Sequence, residues 1–399
     1  MTAPLRIRRV QVFPLAIPLR FRFEHAAGDR DTADPVILQL AAEAPYAAHV
    51  GYGETLARRY VTGETSASVV DDITETFVPH LLEFRASSFA EAVEFASELP
   101  TRIDGRLVSA ARCAVELALL DLAGRVFHRR LSDVTGWMDQ PGFGRPGCVE
   151  AARYSGIVVG RAQRRMTALL RLQRCYGLRD FKIKVAVQGW ETHLEQAHSV
   201  LRRGLQRGAL TLRADANGAW DLEQARQALP TLERFGVTAL EQPLPPAQDK
   251  HLPALAEQTP CDLIADESLL TIEDAEELIE AGGVRVLNIR LAKNGGLLPA
   301  LRIAGRALAA GLDVQLGCLV GETSILAAAG IAFLEACPQV RFVEGAFGRL
   351  LLRTDVTGRP LRFGRGGRVR PPAGFGLGLH VSEHALRRLA TTPVHPINL

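Results

Sequence analysis

The spacing of apolar residues divides the chain into two textures. Up to about residue 140, alternation in IRRVQVFPLAIPL, PVILQLAAEA and YAAHVGYGE predicts strands, while three- and four-residue spacings in SASVVDDITETFVPHLLE, SFAEAVEFASELP and LVSAARCAVELALLDLAGRVF predict helices. Strands followed by helices imply an α+β unit. The polar, glycine-containing stretch 24–34 separates the first two strands and reads as a mobile loop.

From about residue 150, short β-branched strands alternate with amphipathic helices. The strands are YSGIVVG, DFKIKV, LTLRAD, VTALEQ, CDLIAD, RVLNIR, LDVQLG and VRFVEG, separated by segments such as WETHLEQAHSVLRRGLQ and TIEDAEELIEAGG. Eight such units with right-handed crossovers close naturally into a parallel barrel. A doubly wound open sheet would need a phosphate-binding glycine turn after an early strand, and GIVVGRAQRR does not supply one. After about residue 350 the chain turns rich in Gly, Pro and Arg and reads as a loop-rich return segment.

Composition removes several function classes. The 399 residues are 47% hydrophobic and 23% charged, globular proportions with ample core. A net charge of +3 with scattered basic residues argues against nucleic acid, and the longest apolar runs are far too short for a bilayer. The N-terminus lacks a secretory pattern, so cytoplasmic residence is expected. The six cysteines form no CxxC or Cys/His cluster, which disfavours a disulfide framework or zinc site.

Lysine usage sharpens the picture. Of 47 basic residues only four are lysines, Lys182, Lys184, Lys250 and Lys293, so a retained lysine points to a place where a deprotonable amine is wanted. Lys182 and Lys184 are two apart on one strand and share a face. Two neighbouring ammonium groups beside a cation should lower the pKa of one of them toward the range of a general base. The next three strands end in Asp215, Glu241 and Asp266, spaced 26 and 25 residues apart, about one strand–helix unit each. Catalytic groups of parallel barrels sit at these C-terminal strand ends. Three carboxylates side by side call for a cation, and all-oxygen ligation suits Mg²⁺. Taken alone, Asp215 or Asp266 would more often be a helix N-cap.

The combination KIK, DANGAW, EQP, ADES, KNGG and a late VEG resembles the muconate lactonizing branch of the enolase superfamily, across essentially the whole chain. The resemblance implies a (β/α)₇β barrel over residues 146–350, an α+β capping domain over 1–145, and a segment 351–399 returning to the cap. It implies that Asp215, Glu241 and Asp266 bind one Mg²⁺, with Mn²⁺ as a substitute, that Lys184 moves a proton α to a substrate carboxylate, and that Lys182 holds that carboxylate. Glu344 is expected to face the substrate, and Glu322 lies one residue from where many relatives carry an acid. Cap loops supply specificity in that family, which makes His25, Arg30, Arg58 and Tyr60 the expected substrate contacts. A small-molecule carboxylate substrate and a homo-oligomeric assembly are implied as well.

The chain departs from that pattern on strand six, where Arg290 stands in place of the usual lysine and Lys293 follows in the loop. Arginine is a poor proton shuttle, whereas racemisation needs a base on each face of the enediolate. The leading expectation is therefore one-base chemistry: muconate-like cycloisomerisation, or syn-dehydration as in succinylbenzoate formation. A racemase or epimerase of an N-acyl amino acid or dipeptide is the alternative and would need Lys293, or a rearranged strand six, to supply the second base. A non-catalytic metal-binding barrel is the third.

Overall fold

The computed structural model describes residues 3–23, 30–145, 148–158, 163–345 and 347–399. Its N-terminal part starts with β1 (Ile7–Pro14), β2 (Ile17–Phe23), β3 (Arg30–Ala33), β4 (Val36–Ala42) and β5 (Val50–Thr55). The first apolar run thus breaks after Pro14 into two strands. Part of the stretch expected to be a loop is a strand as well, because β3 pairs antiparallel with β2, Ile17 opposite Ala33. The helix Ser109–Val126 lies directly on β5. Gly53 permits that approach, since a Cβ there would stand 2.7 Å from the Ala118 nitrogen.

After a small hairpin of β6 (Arg102–Ile103) and β7 (Arg106–Leu107), eight parallel strands follow. They are β8 (Gly156–Val158), β9 (Asp180–Lys184), β10 (Thr211–Asp215), β11 (Ala239–Glu241), β12 (Asp262–Ala265), β13 (Val284–Ile289), β14 (Asp313–Leu316) and β15 (Phe342–Val343), each paired with its neighbour in sequence. A parallel bridge from Tyr154 to Val343, and the Ser155 nitrogen donating to the Val343 carbonyl at 2.7 Å, join the two edges. The sheet is a closed barrel wrapped by helices such as Trp190–Leu205 and Leu297–Ala309. The last strand, β16 (Ile397–Asn398), returns to pair with β1 and completes a four-stranded sheet in the order β16-β1-β4-β5. Among the described residues no helix is long and apolar enough to cross a membrane.

Strand alternation sets the barrel interior. Ala239, Ile264, Val286 and Phe342 form a separate buried cluster. Two residues further along the same strands, on the same face, stand Glu241, Asp266, Asn288 and Glu344. An apolar floor therefore carries a polar layer at the C-terminal rim.

Two buried acids fasten the N-terminal unit to this rim. Glu116 and Arg112 of the helix Ser109–Val126 pair at 2.6 Å; Arg112 also donates to the Gly295 carbonyl, and Glu116 accepts from the Leu298 nitrogen at 3.0 Å, which grips the turn after β13. Glu54 on β5 accepts from the Thr323 nitrogen at 2.7 Å, the Thr323 hydroxyl at 2.6 Å and the Leu326 nitrogen at 2.7 Å, at the start of the helix Ser324–Ala336. Burial pushes the Glu54 carboxyl up to about 7 in spite of those donors. Its folded value lies above its unfolded one. This part of the stability is therefore fully present below about pH 4.5 and is lost as the pH rises through about 7.

Glu54→Gln, which cannot ionise, is expected to remove about 2–3 kcal/mol of the wild-type fall in unfolding free energy between about pH 5 and about pH 8. Urea midpoints at the two pH values measure it. Equal pH slopes in the two proteins would show that Glu54 is not the titrating group.

Candidate active site

Parallel register brings the strand-end residues together. Lys184 is the register partner of Asp215, and Asp215 of Glu241, while Asp266 and Arg290 follow directly on β12 and β13 and Glu344 on β15. Asp215, Glu241 and Asp266 are fully buried.

The two lysines of β9 do different things. Lys182 is almost enclosed, its side chain 5% exposed, and its Nζ lies 3.1 Å from Glu241 Oε1, 2.8 Å from Glu344 Oε1 and 3.1 Å from Asp215 Oδ2. Lys184 keeps 23% of its side-chain exposure and donates to Asp215 Oδ2 and Asn217 Oδ1, each at 2.6 Å. Asn217 adopts a left-handed conformation, φ 47°, in the turn after β10, and its Nδ2 donates to Glu267 at 3.1 Å.

The pKa shifts follow from this packing. Burial lowers the Lys182 amine, but Glu241, Glu344 and Asp215 more than offset that and hold it well above its ordinary value. Carboxylates rather than ammonium groups surround Lys182. Burial raises Asp215, yet Lys184 and Lys182 overcome it and keep this carboxyl well below the usual range. Glu241 goes the other way, pushed up to about 8 by burial and by Asp215.

On the far side, Arg290 donates to Asp266 Oδ2 and passes 3.7 Å from Glu241 Oε1. Lys293 is enclosed behind Asp266, donating to Asp266 Oδ1 at 2.9 Å, the Asp266 carbonyl at 2.6 Å and the Asn288 carbonyl at 2.8 Å. It does not line the pocket, contrary to the possibility that it reaches the substrate from its loop. Burial lowers its amine below the ordinary value in spite of Asp266.

A cavity of about 60 Å³ opens above the rim. Lys182, Lys184, Arg290 and Glu344 line it from the barrel, and Arg30, Arg58 and Tyr60 from the N-terminal unit. Arg58 is buried, held by Asp34 at 2.9 Å and by the Val320 carbonyl at 2.9 Å, and so ties that unit to the loop after β14. Glu322 lies to one side, accepting from the Leu319 nitrogen at 2.7 Å, with its carboxyl raised by burial to about 8. It lines a neighbouring small cavity with Glu344 and Tyr154. His25 lies outside the described residues. Two roomier grooves near Trp137, of about 520 and 480 Å³, contain none of these residues.

Several partners escape the sequence reading. Arg213 on β10 reaches Glu344 at 3.2 Å, and Asn288 and Gln315 donate to the two Glu241 oxygens at 3.1 and 2.9 Å. The available signal is polar residues at inward positions of otherwise apolar strands: Arg213 two before Asp215, Asn288 two before Arg290.

The donor chemistry fits a hard divalent cation. All ligand candidates are oxygens, and two more buried acceptors in the cluster, Glu267 Oε2 and Asn288 Oδ1, hold no hydrogen bond. As the side chains stand, no three acids, histidines or cysteines among the described residues form a metal-holding group. The heads of Lys182 and Arg290 lie between the carboxylates instead.

Known proteins resemble this chain in sequence and fold. A family model described as "Enolase C-terminal domain-like" matches residues 165–385. An L-Ala-D/L-Glu epimerase of Escherichia coli (strain K12) is 32% identical over 85% of this chain and 92% of its own length. A chloromuconate cycloisomerase of Cupriavidus pinatubonensis (strain JMP 134 / LMG 1197) is 25% identical over 74% of this chain and 77% of its own. The solved muconate lactonizing enzyme from Pseudomonas putida superposes with a TM-score of 0.81 at 25% identity, covering 96% of this chain and 99% of that one.

Gly317, just past β14, leaves room for the guanidinium: a Cβ there would stand 3.1 Å from Arg290 Nε and would collide with Asn288 Oδ1. Gly317→Ala is expected to cost about 1–3 kcal/mol. Thermal unfolding measures it, and an unchanged midpoint would mean that the cluster is looser than described.

Proposed function

Because the chain belongs to the enolase superfamily, we propose that it moves a proton α to a substrate carboxylate with Lys184 as its single base, in a cycloisomerisation or syn-dehydration. The observation that carries this reading is the pair of walls. Lys184, on β9, presents a partly exposed amine to the pocket, and Arg290, after β13, lines it from half the barrel circumference away. Guanidinium stays protonated at any ordinary pH, so only one wall carries a base. Lys182 shares the β9 wall with Lys184, and Lys293 is bonded to two backbone carbonyls behind Asp266.

Asp215, Glu241 and Asp266 would hold Mg²⁺, or Mn²⁺ in its place, and the bound ion would supply the positive charge that makes an α-proton acidic enough to remove. Lys184 takes and returns the proton at Nζ, positioned by Asp215 and Asn217. Lys182 holds the substrate carboxylate. Glu344 lines the pocket beside it. The buried Arg58, with Arg30 and Tyr60, meets the far end of the substrate, which favours an anionic molecule. A small carboxylic acid is the substrate class, and a homo-oligomer in the cytoplasm is the expected assembly.

The epimerase alternative is favoured by one observation, the 32% identity to the Escherichia coli enzyme. It requires a base on the wall opposite Lys184, where Arg290 stands.

With Mg²⁺ and a panel of carboxylic acids in D₂O, the wild type is expected to exchange the α-proton of its substrate without inverting the carbon. Lys184→Ala should slow exchange about 10³-fold. Proton NMR with chiral chromatography reads both effects. Exchange that survives Lys184→Ala, or inversion by the wild type, would overturn the single-base reading.

A further inference from the structure

Every oxygen of the three strand-end carboxylates already accepts a protein donor. Asp215 takes the Asn217 nitrogen on Oδ1 and Lys184 on Oδ2. Glu241 takes Lys182 and Asn288 on Oε1 and Gln315 on Oε2. Asp266 takes Lys293 on Oδ1 and Arg290 on Oδ2. Each oxygen keeps a second lone pair, but the heads of Lys182 and Arg290 lie between the carboxylates, so a cation that bridges them enters only as one of those heads leaves.

The donors differ in how tightly they are held. Lys293 is fully enclosed, with three bonds, two of them to backbone carbonyls. Lys182 sits among three carboxylates. Arg290 has one hydrogen-bonded carboxylate, faces the pocket, and carries a buried Nε without a partner. That buried N–H is a donor without an acceptor, so the guanidinium is held by less than its full set of hydrogen bonds. Arg290 is therefore the group that can leave Asp266 at least cost, and a carboxylate in the pocket is what its planar fork would accept.

Charge points the same way. Five acidic side chains, Asp215, Glu241, Asp266, Glu267 and Glu344, stand among five basic ones, Lys182, Lys184, Arg213, Arg290 and Lys293, so the cluster carries no excess of negative charge. Two further positive charges in so buried a cluster are disfavoured unless an anion enters with them.

We propose that Arg290 is a positioning arm that couples the two ligands: the substrate carboxylate draws it off Asp266, which frees Asp266 for the divalent cation. This rests on the metal-assisted reading of the site given above. The coupling is reciprocal, so bound metal also tightens carboxylate binding by the same factor. A lysine at this position would carry only a compact ammonium, without the fork that bridges from Asp266 to a ligand.

Mn²⁺ affinity, read from the free-ion electron paramagnetic resonance signal with and without saturating succinate, tests this on the full chain. In the wild type succinate is expected to tighten Mn²⁺ binding about tenfold. In Arg290→Met, Mn²⁺ should bind tightly without succinate, and succinate should change its affinity less than about twofold. Arg290→Lys, which preserves the charge count and guards against misfolding of the first variant, should fall between the two. Mn²⁺ affinity that ignores bound succinate in the wild type, or coupling that persists in Arg290→Met and Arg290→Lys, would overturn the proposal while leaving Lys184-dependent exchange intact. Failure of the wild type to bind Mn²⁺ under either condition would instead remove the metal-assisted reading, and this inference with it.

Discussion

Three carboxylates stand side by side, buried, at one rim of the barrel, because parallel register leaves Asp215, Glu241 and Asp266 nowhere else to go. An apolar interior accepts such a cluster only with cations supplied at hydrogen-bond distance. Much of the surrounding sequence answers that demand. Lys182 and Arg213 come from the strands on one side, Arg290 and Lys293 from the other, and Asn288 and Gln315 fill the remaining acceptor positions on Glu241. The apolar floor of Ala239, Ile264, Val286 and Phe342 keeps water from the underside. The same charges that make the cluster tenable make it reactive toward a carboxylate.

The N-terminal unit depends on this rim as well. Glu54 and Arg112 hold it to the turns after β14 and β13, the turns that carry the pocket wall and the Arg290–Lys293 pair. Arg58 adds a third tie through the Val320 carbonyl and then faces the pocket. Arg58 thus belongs both to the docking contacts and to the pocket lining.

The barrel was legible because its signal is simple: a short apolar strand and an amphipathic helix, repeated eight times, with acids one unit apart. The metal-ligand candidates and Lys184 followed from that period. Less legible were effects that depend on neighbours distant in sequence. Lys293 has the residue type of a base, yet its loop folds it behind Asp266, a contact 27 positions away that no local pattern encodes. Lys182 is a second such case, because the carboxylates that surround it come from β10, β11 and the end of β15. The stretch around Arg30 is polar enough for a loop but pairs as β3, because β2 offers a partner edge. Arg213, Asn288 and Gln315 were visible in principle, as polar residues breaking an inward apolar row.

The central claim is that one wall of the pocket carries a base and the opposite wall a permanent cation. A crystal structure with Mg²⁺ and a bound carboxylate measures it directly. Lys184 Nζ is predicted on one face of the ligand's α-carbon and the Arg290 guanidinium, released from Asp266, toward the other, with the ion on Asp215, Glu241 and Asp266. A structure with Lys293 or any second amine at the opposite face, or with Arg290 still on Asp266 and the ion bound elsewhere, would contradict it.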